Sequence, residues 1–211
     1  MQKLLVLTAV AAVLLVGAGC KSASDDIFPM TVGSTWKMEG YSLMDTTLDV
    51  PDTVQTFTTD MKVEKEAELT TGDKVYEFSS TTVTRIFNPD TTMTETSKGY
   101  MREANGVILS YESLSDPTPD TALFTDLSVG KKWNTGDSSW VEVMAQENVT
   151  VKAGSYTNAW KMTYFTISGG DTMQMHSWYA PGVGQVKMHY EMEVMGFQMV
   201  YHSELAEVDI K

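Results

Sequence analysis

His176, His189 and His202 stand thirteen residues apart, twice over, and neutral imidazoles gathered in one row are ready ligands for Zn²⁺ or Cu²⁺. The row exists in one register only. Ala180 must face Gln185 around Pro181-Gly182-Val183-Gly184, and Val194 must face Phe197 around Met195-Gly196. Directly opposed Cβ atoms then sit ~5 Å apart, with Glu191 and Glu204 near enough to orient the rings. A slip of one residue in either hairpin turns an imidazole to the other face, leaving three solvated histidines.

The second chemical signal is sulfur. Met162, Met173, Met175, Met188, Met192, Met195 and Met199 crowd one short stretch. Thioether side chains are flexible and polarizable, and are over-used on surfaces that accept varied apolar partners. Met173, Met175, Met188, Tyr190 and Met192 are therefore candidate contacts for a hydrophobic ligand. The competing reading is that they fill gaps in a core. Thioether binding of Cu(I) has only Met173-x-Met175-His176 in its favour, without Met-x-x-Met clusters. No Gly-x-Ser-x-Gly elbow, His-Glu-x-x-His pair or phosphate-binding glycine loop occurs. The chain reads as a non-enzyme with no cofactor.

The elements that would position these side chains are strands. From Phe57 to Leu69 the residues Phe57, Met61, Val63, Ala67 and Leu69 are apolar, while Asp60, Lys62, Glu64, Glu66 and Glu68 alternate with them, the two-residue period of a half-buried strand. The same alternation separates Val186, Met188, Tyr190, Met192 and Val194 from Gln185, Lys187, His189, Glu191 and Glu193. Asn105-Gly106 is a type I′ hairpin signal, because both central residues of that turn need positive φ. Gly169-Gly170-Asp171 and Pro181 to Gly184 mark further turns. Pro-Asp-Thr recurs at Pro51, Pro89 and Pro119 between strand-like runs, as turn chemistry rather than a calcium loop. After Cys20 no run of ten residues has a helical period. The expected fold is all-β, an antiparallel, strongly curved sheet forming a half-barrel or open barrel.

An internal similarity runs through it. Met30-Thr31-Val32-Gly33 followed by Trp36 matches Leu127-Ser128-Val129-Gly130 followed by Trp133, each with a Phe shortly before and a glycine turn (Gly72, Gly154) beyond. Halves 28–123 and 124–211 would then form one sheet. Each copy reads as a loop that drops a Trp onto the open end of the sheet, with its N–H left in water.

At the N-terminus, Lys3 precedes the charge-free run Leu4 to Val16, and Gly17-Ala18-Gly19 precede the only cysteine, the layout of a removable secretory signal. The run is too short for the ~20 residues of a spanning helix. These residues resemble a bacterial lipobox, apart from Gly17 where a branched aliphatic residue is usual. The resemblance implies cleavage after residue 19, acylation of Cys20 and, with Lys21 rather than Asp following, outer-membrane sorting in a Gram-negative cell. Several acyl chains matter here, since one binds only marginally. The expected division is a signal over 1–19, a lipidated tether over 20–27 and one β domain over 28–211. With Cys20 acylated, no thiol remains for a disulfide, a metal cluster or nucleophilic catalysis. Lys and Arg number 15 against 28 Asp and Glu, a net charge of −13. That balance disfavours nucleic acid, whose binding draws on clustered cations. It also leaves the membrane contact to lipid rather than to a basic patch.

Val149-Thr150-Val151-Lys152-Ala153-Gly154-Ser155-Tyr156, then Trp160-Lys161-Met162, then Trp178-Tyr179-Ala180-Pro181-Gly182-Val183-Gly184-Gln185-Val186-Lys187 resemble a pattern in bacterial envelope proteins described as TapB-like, and Phe28-Pro29 to Trp36 fits the same group. Such proteins are similar in outline to the half-barrels of lipoprotein-sorting factors. That resemblance implies a concave apolar face able to hold acyl chains, and brings no catalytic residue. The expected function is an envelope lipoprotein that binds a hydrophobic ligand or a lipidated partner. The alternative is a surface assembly protein acting through protein contacts.

Overall fold

The computed structural model describes residues 26–45, 52–87, 90–168, 171–194 and 197–211. The signal, Cys20, Met195 and the Gly169-Gly170 turn lie outside them. Among the described residues there is no helix, and the chain is an up-and-down meander of twelve strands. These are β1 (Thr35–Asp45), β2 (Asp52–Glu68), β3 (Lys74–Phe87), β4 (Asp90–Ala104), β5 (Val107–Tyr111), β6 (Asp120–Phe124), β7 (Lys132–Gly136), β8 (Ser139–Val151), β9 (Gly154–Ser168), β10 (Asp171–Ala180), β11 (Gly184–Val194) and β12 (Phe197–Asp209).

They form one antiparallel sheet in the order β6-β5-β4-β3-β2-β1-β12-β11-β10-β9-β8-β7. The pairing of β1 with β12 joins the two ends of the meander, and β6 meets β7 without a hydrogen-bonded ladder among the described residues, so the sheet curls into a nearly closed barrel with one seam. Side chains bridge that seam. Ile108 and Leu123 pack with Trp133, Val141, Val143 and Met162. At the base, Phe28 and Met30 touch both this cluster and a second one built on Trp36, Val63, Phe78, Val186 and Leu205. Phe28 stacks on Trp36 at 5.5 Å. It fits because Gly184, at φ +96°, has no side chain, and a Cβ there would stand 2.8 Å from the ring. Ile27 is also buried and packs with the Trp133 cluster.

The internal similarity is present in the geometry. Thr31–Ser34 and Ser128–Lys131 are the same turn, with Gly33 and Gly130 at φ +88° and +86°, as a type II turn requires at its third residue. Ser34 N–H donates to Thr31 O and Lys131 N–H to Ser128 O, both at 3.0 Å. Gly33 N–H reaches Val63 O, and Gly130 N–H reaches Val143 O. Trp36 pairs with Met61, Trp133 with Val141, and a β-bulge follows Val63 and Val143 alike. The halves are thus β1–β6 and β7–β12.

Those bulges correct one expectation. Past the bulge at Glu64 the face parity of β2 reverses, so Ala67 and Leu69 leave the interior shared by Phe57, Met61 and Val63. They form an outer cluster with Val75 and Tyr111 instead. The far end of β8–β9 likewise turns back over the outer face of β10–β12. There Ala153 N–H donates to Leu205 O, Lys152 pairs with Glu39, and the Trp178 indole donates to Glu147 at 2.6 Å. The tryptophans correct another: Trp36 and Trp133 are 2 % and 8 % exposed, so neither indole N–H is hydrated. Trp36 Nε1 donates to Val183 O at 2.6 Å, and Trp133 Nε1 has no partner among the described residues.

Candidate functional site

The two faces of β9–β12 carry the two candidate chemistries back to back. On the concave face one cross-strand row runs Tyr164, Met175, Tyr190, Tyr201 and Ser42 across β9, β10, β11, β12 and β1. The Tyr190 and Tyr201 rings stack at 4.9 Å and 6°, and Tyr201 stacks on Phe57 at 4.9 Å and 15°. Phe57 reaches Tyr201 across β1 because its opposite residue there is Gly40. Toward the open end, Met192, Met199 and Met44 follow in register.

Tyr164, Thr166, Met173, Met175, Tyr190 and Met192 wall a cleft of about 170 Å³ on this face, with Gln174 and Glu191 also contributing to its lining. Four of the five candidates named from the sequence are brought together there. Met188 is not among the lining residues. It lies one row deeper, between Ser177 and Ser203. Met162 is fully buried and fills the core, so the gap-filling reading holds for that residue. Sequence reasoning missed Tyr164 and Tyr201, although the register that aligns His189 with His202 also aligns Tyr190 with Tyr201. Burial raises the phenol pKa of Tyr164 and Tyr190, and burial with Tyr190 nearby pushes Tyr201 up to about 12. These rings stay neutral at physiological pH, and among the described residues Glu191 is the one acidic residue lining the cleft.

On the outer face the histidine register is as expected: His176 opposes His189, and His189 opposes His202. It arises by a different route. Ala180 pairs with Gly184 rather than Gln185, and a bulge beside Trp178 restores the alignment of everything before it. The His189 and His202 rings stand 5.9 Å apart. Each imidazole has its own nearby partner: His176 Nδ1 with Thr163 Oγ1 at 2.8 Å, His189 Nε2 with Glu191 at 3.2 Å, and His202 Nε2 with Glu204 at 4.0 Å. Among the described residues no three His, Cys, Asp or Glu side chains are placed to hold one ion. Lys161 and Lys187 flank Trp178 at 5.2 and 4.8 Å, and a cation entering beside them meets like charge. Burial first, then Lys161, lowers the pKa of His176; burial, then Lys187, lowers that of His202.

No family model and no curated protein matches this chain. Among solved structures it is similar to a Bacteroides fragilis protein described as exported and as having a YmcC-like fold, with TM-score 0.52 and 13% identity over 87% of this chain and 99% of that one. The fold is YmcC-like. A Parabacteroides distasonis structure described as a lipoprotein aligns over 88% of this chain and 99% of its own, with TM-score 0.44 and 16% identity. The TapB-like resemblance stands on the quoted residues alone.

Proposed function

We propose that this chain is an exported envelope lipoprotein, held at the outer membrane by acyl groups on Cys20, whose concave Met and Tyr face binds an apolar chain. The cleft between β9, β10 and β11 carries the reading. Its walls are mostly thioethers and neutral rings, and it opens at the barrel end away from the Phe28 plug. At about 170 Å³ it falls below the ~300–1,000 Å³ of pockets for drug-sized molecules. A single extended hydrocarbon segment fits that size better than a fused ring system. Each methylene buried there contributes roughly 0.8 kcal/mol, so four or five supply roughly 3–4 kcal/mol. Such a segment can belong to a free lipid or to a lipidated partner.

The test is binding of a fluorescent fatty-acid probe to delipidated protein, beside native mass spectrometry of the protein as purified. Met175→Asp places a carboxylate in the Tyr164–Tyr190 row and should raise the probe Kd at least about tenfold, since an unpaired charge resists burial. A clean apo mass together with probe binding that Met175→Asp leaves unchanged sinks the reading.

A further inference from the structure

β5 pairs with β4 only over Tyr100–Ala104, whereas β3 pairs with β4 from Asp90 to Met101. The segment Asp90–Lys98 therefore has backbone groups on one side with no ladder among the described residues. Every residue in it is exposed. The pairing with β3 has no bulge to twist this edge away, and β3 adds exposed Val83 and Phe87 beside it. A long, flat, regular edge is a template for another strand, and folded proteins normally blunt one.

The sequence of this edge says which strand. In Asp90-Thr91-Thr92-Met93-Thr94-Glu95-Thr96-Ser97-Lys98, an antiparallel copy centred on Thr94 sets Asp90 opposite Lys98 twice, Thr92 opposite Thr96 twice and no like charges opposite each other. A centre at Glu95 opposes two glutamates, and a centre at Met93 pairs no charges. Within one chain Asp90 bonds Arg85 and Lys98 bonds Glu77, yet their side chains remain 68 % and 65 % exposed, open to a further partner.

We infer that Asp90–Lys98 is a self-association edge, which pairs antiparallel with the same segment of a second copy and runs two sheets into one. Nine residues a side make a small contact, so the dimer is transient in dilute solution. Tethering both copies on one membrane raises their effective concentration. This inference does not depend on what the cleft binds.

Thr94 faces its own copy at the centre, so one position tests both pairing and register. Sedimentation equilibrium of the full chain in detergent, over a concentration series, is run on wild type, Thr94→Lys, Thr94→Glu and their equimolar mixture, with circular dichroism to verify the fold. The wild type should dimerise. Either variant alone should raise the dimer Kd about threefold to fivefold through like charges directly opposed, and the mixture should recover wild-type association. A wild type that stays monomeric at every concentration overturns the inference, as do single variants that dimerise unchanged or a mixture that associates no better than its components.

Discussion

Gly40→Ala is the sharpest test of how the concave face is built. Gly40 lies outside the left-handed region, so alanine meets no backbone conformational barrier there. The obstacle is space. A Cβ at Gly40 would stand 2.3 Å from the His202 carbonyl oxygen on β12 and 2.3 Å from Cζ of Phe57 on β2. The ring can rotate away, but the carbonyl belongs to the ladder that joins the two halves of the barrel. Overpacking of a tight site costs about 1–3 kcal/mol, and a displaced Phe57 loses its stack on Tyr201, worth about 0.5–1.5 kcal/mol. The expected loss is about 2–4 kcal/mol, a large share of the ~5–15 kcal/mol that holds most domains folded. With a urea m-value of about 1–3 kcal/mol/M, the unfolding midpoint should fall by about 1 M or more. Gly99→Ala is the control, since its nearest atom, Tyr111 O, is 3.9 Å away, and it should change stability by under about 0.5 kcal/mol. Equal midpoints for the two variants would refute the close approach of β1, β2 and β12. Phe57→Ala added to Gly40→Ala should not restore stability, because the carbonyl contact persists.

The equivalent tryptophans should respond unequally. Trp36→Phe leaves Val183 O without its indole donor, whereas Trp133→Phe removes a buried N–H that has no partner among the described residues. Trp36→Phe should therefore cost about 1–2 kcal/mol more in urea unfolding, and equal costs would contradict the assignment. The histidines set an acid limb. The pKa values of His176 and His202 are lowered in the folded state, so the unfolded chain binds more protons near its ordinary value of ~6.5. Stability from these groups is complete above that value and is lost as pH falls through the lowered folded pKa. Replacing both by glutamine should flatten the fall in urea midpoint between about pH 7 and 5, and an unaltered slope would assign it to the carboxylates.

Much of the fold was legible because strands announce themselves by period. The alternation from Val186 to Val194 gave β11 and its two faces, and Asn105-Gly106 gave a turn whose φ values of 54° and 77° are those of type I′. What period cannot show is where the parity breaks. The bulges at Glu64, at Met144 and beside Trp178 carry no residue signature of their own. They decided that Leu69 faces outward and that the histidine alignment survived a hairpin loop one residue shorter than expected. The cleft was half legible. Its methionines sit in one stretch of sequence, but Tyr164 joins them from β9 as the ladder partner of Met175, and Phe57 supports Tyr201 from the other half of the chain across Gly40, a contact that rests on the long-range β1–β12 ladder.

The seam between β6 and β7 has a consequence for how the barrel comes together. Among the described residues every ladder but one joins strands that are neighbours in the chain; the exception is β1 with β12. The closing event of folding therefore spans nearly the whole domain, and its loop-closure entropy falls on a single ladder. Each six-strand half has only local ladders, and the β1–β12 ladder is where the halves meet. In that meeting Lys211 N–H reaches Ser34 Oγ at 3.1 Å, so the segments flanking β1 and β12 lie side by side. Joining those segments and cutting the chain within 125–131, where no ladder is lost, would give a circular permutant with the order β7 to β12, then β1 to β6. All of its pairings would be local, and it should fold faster to the same barrel.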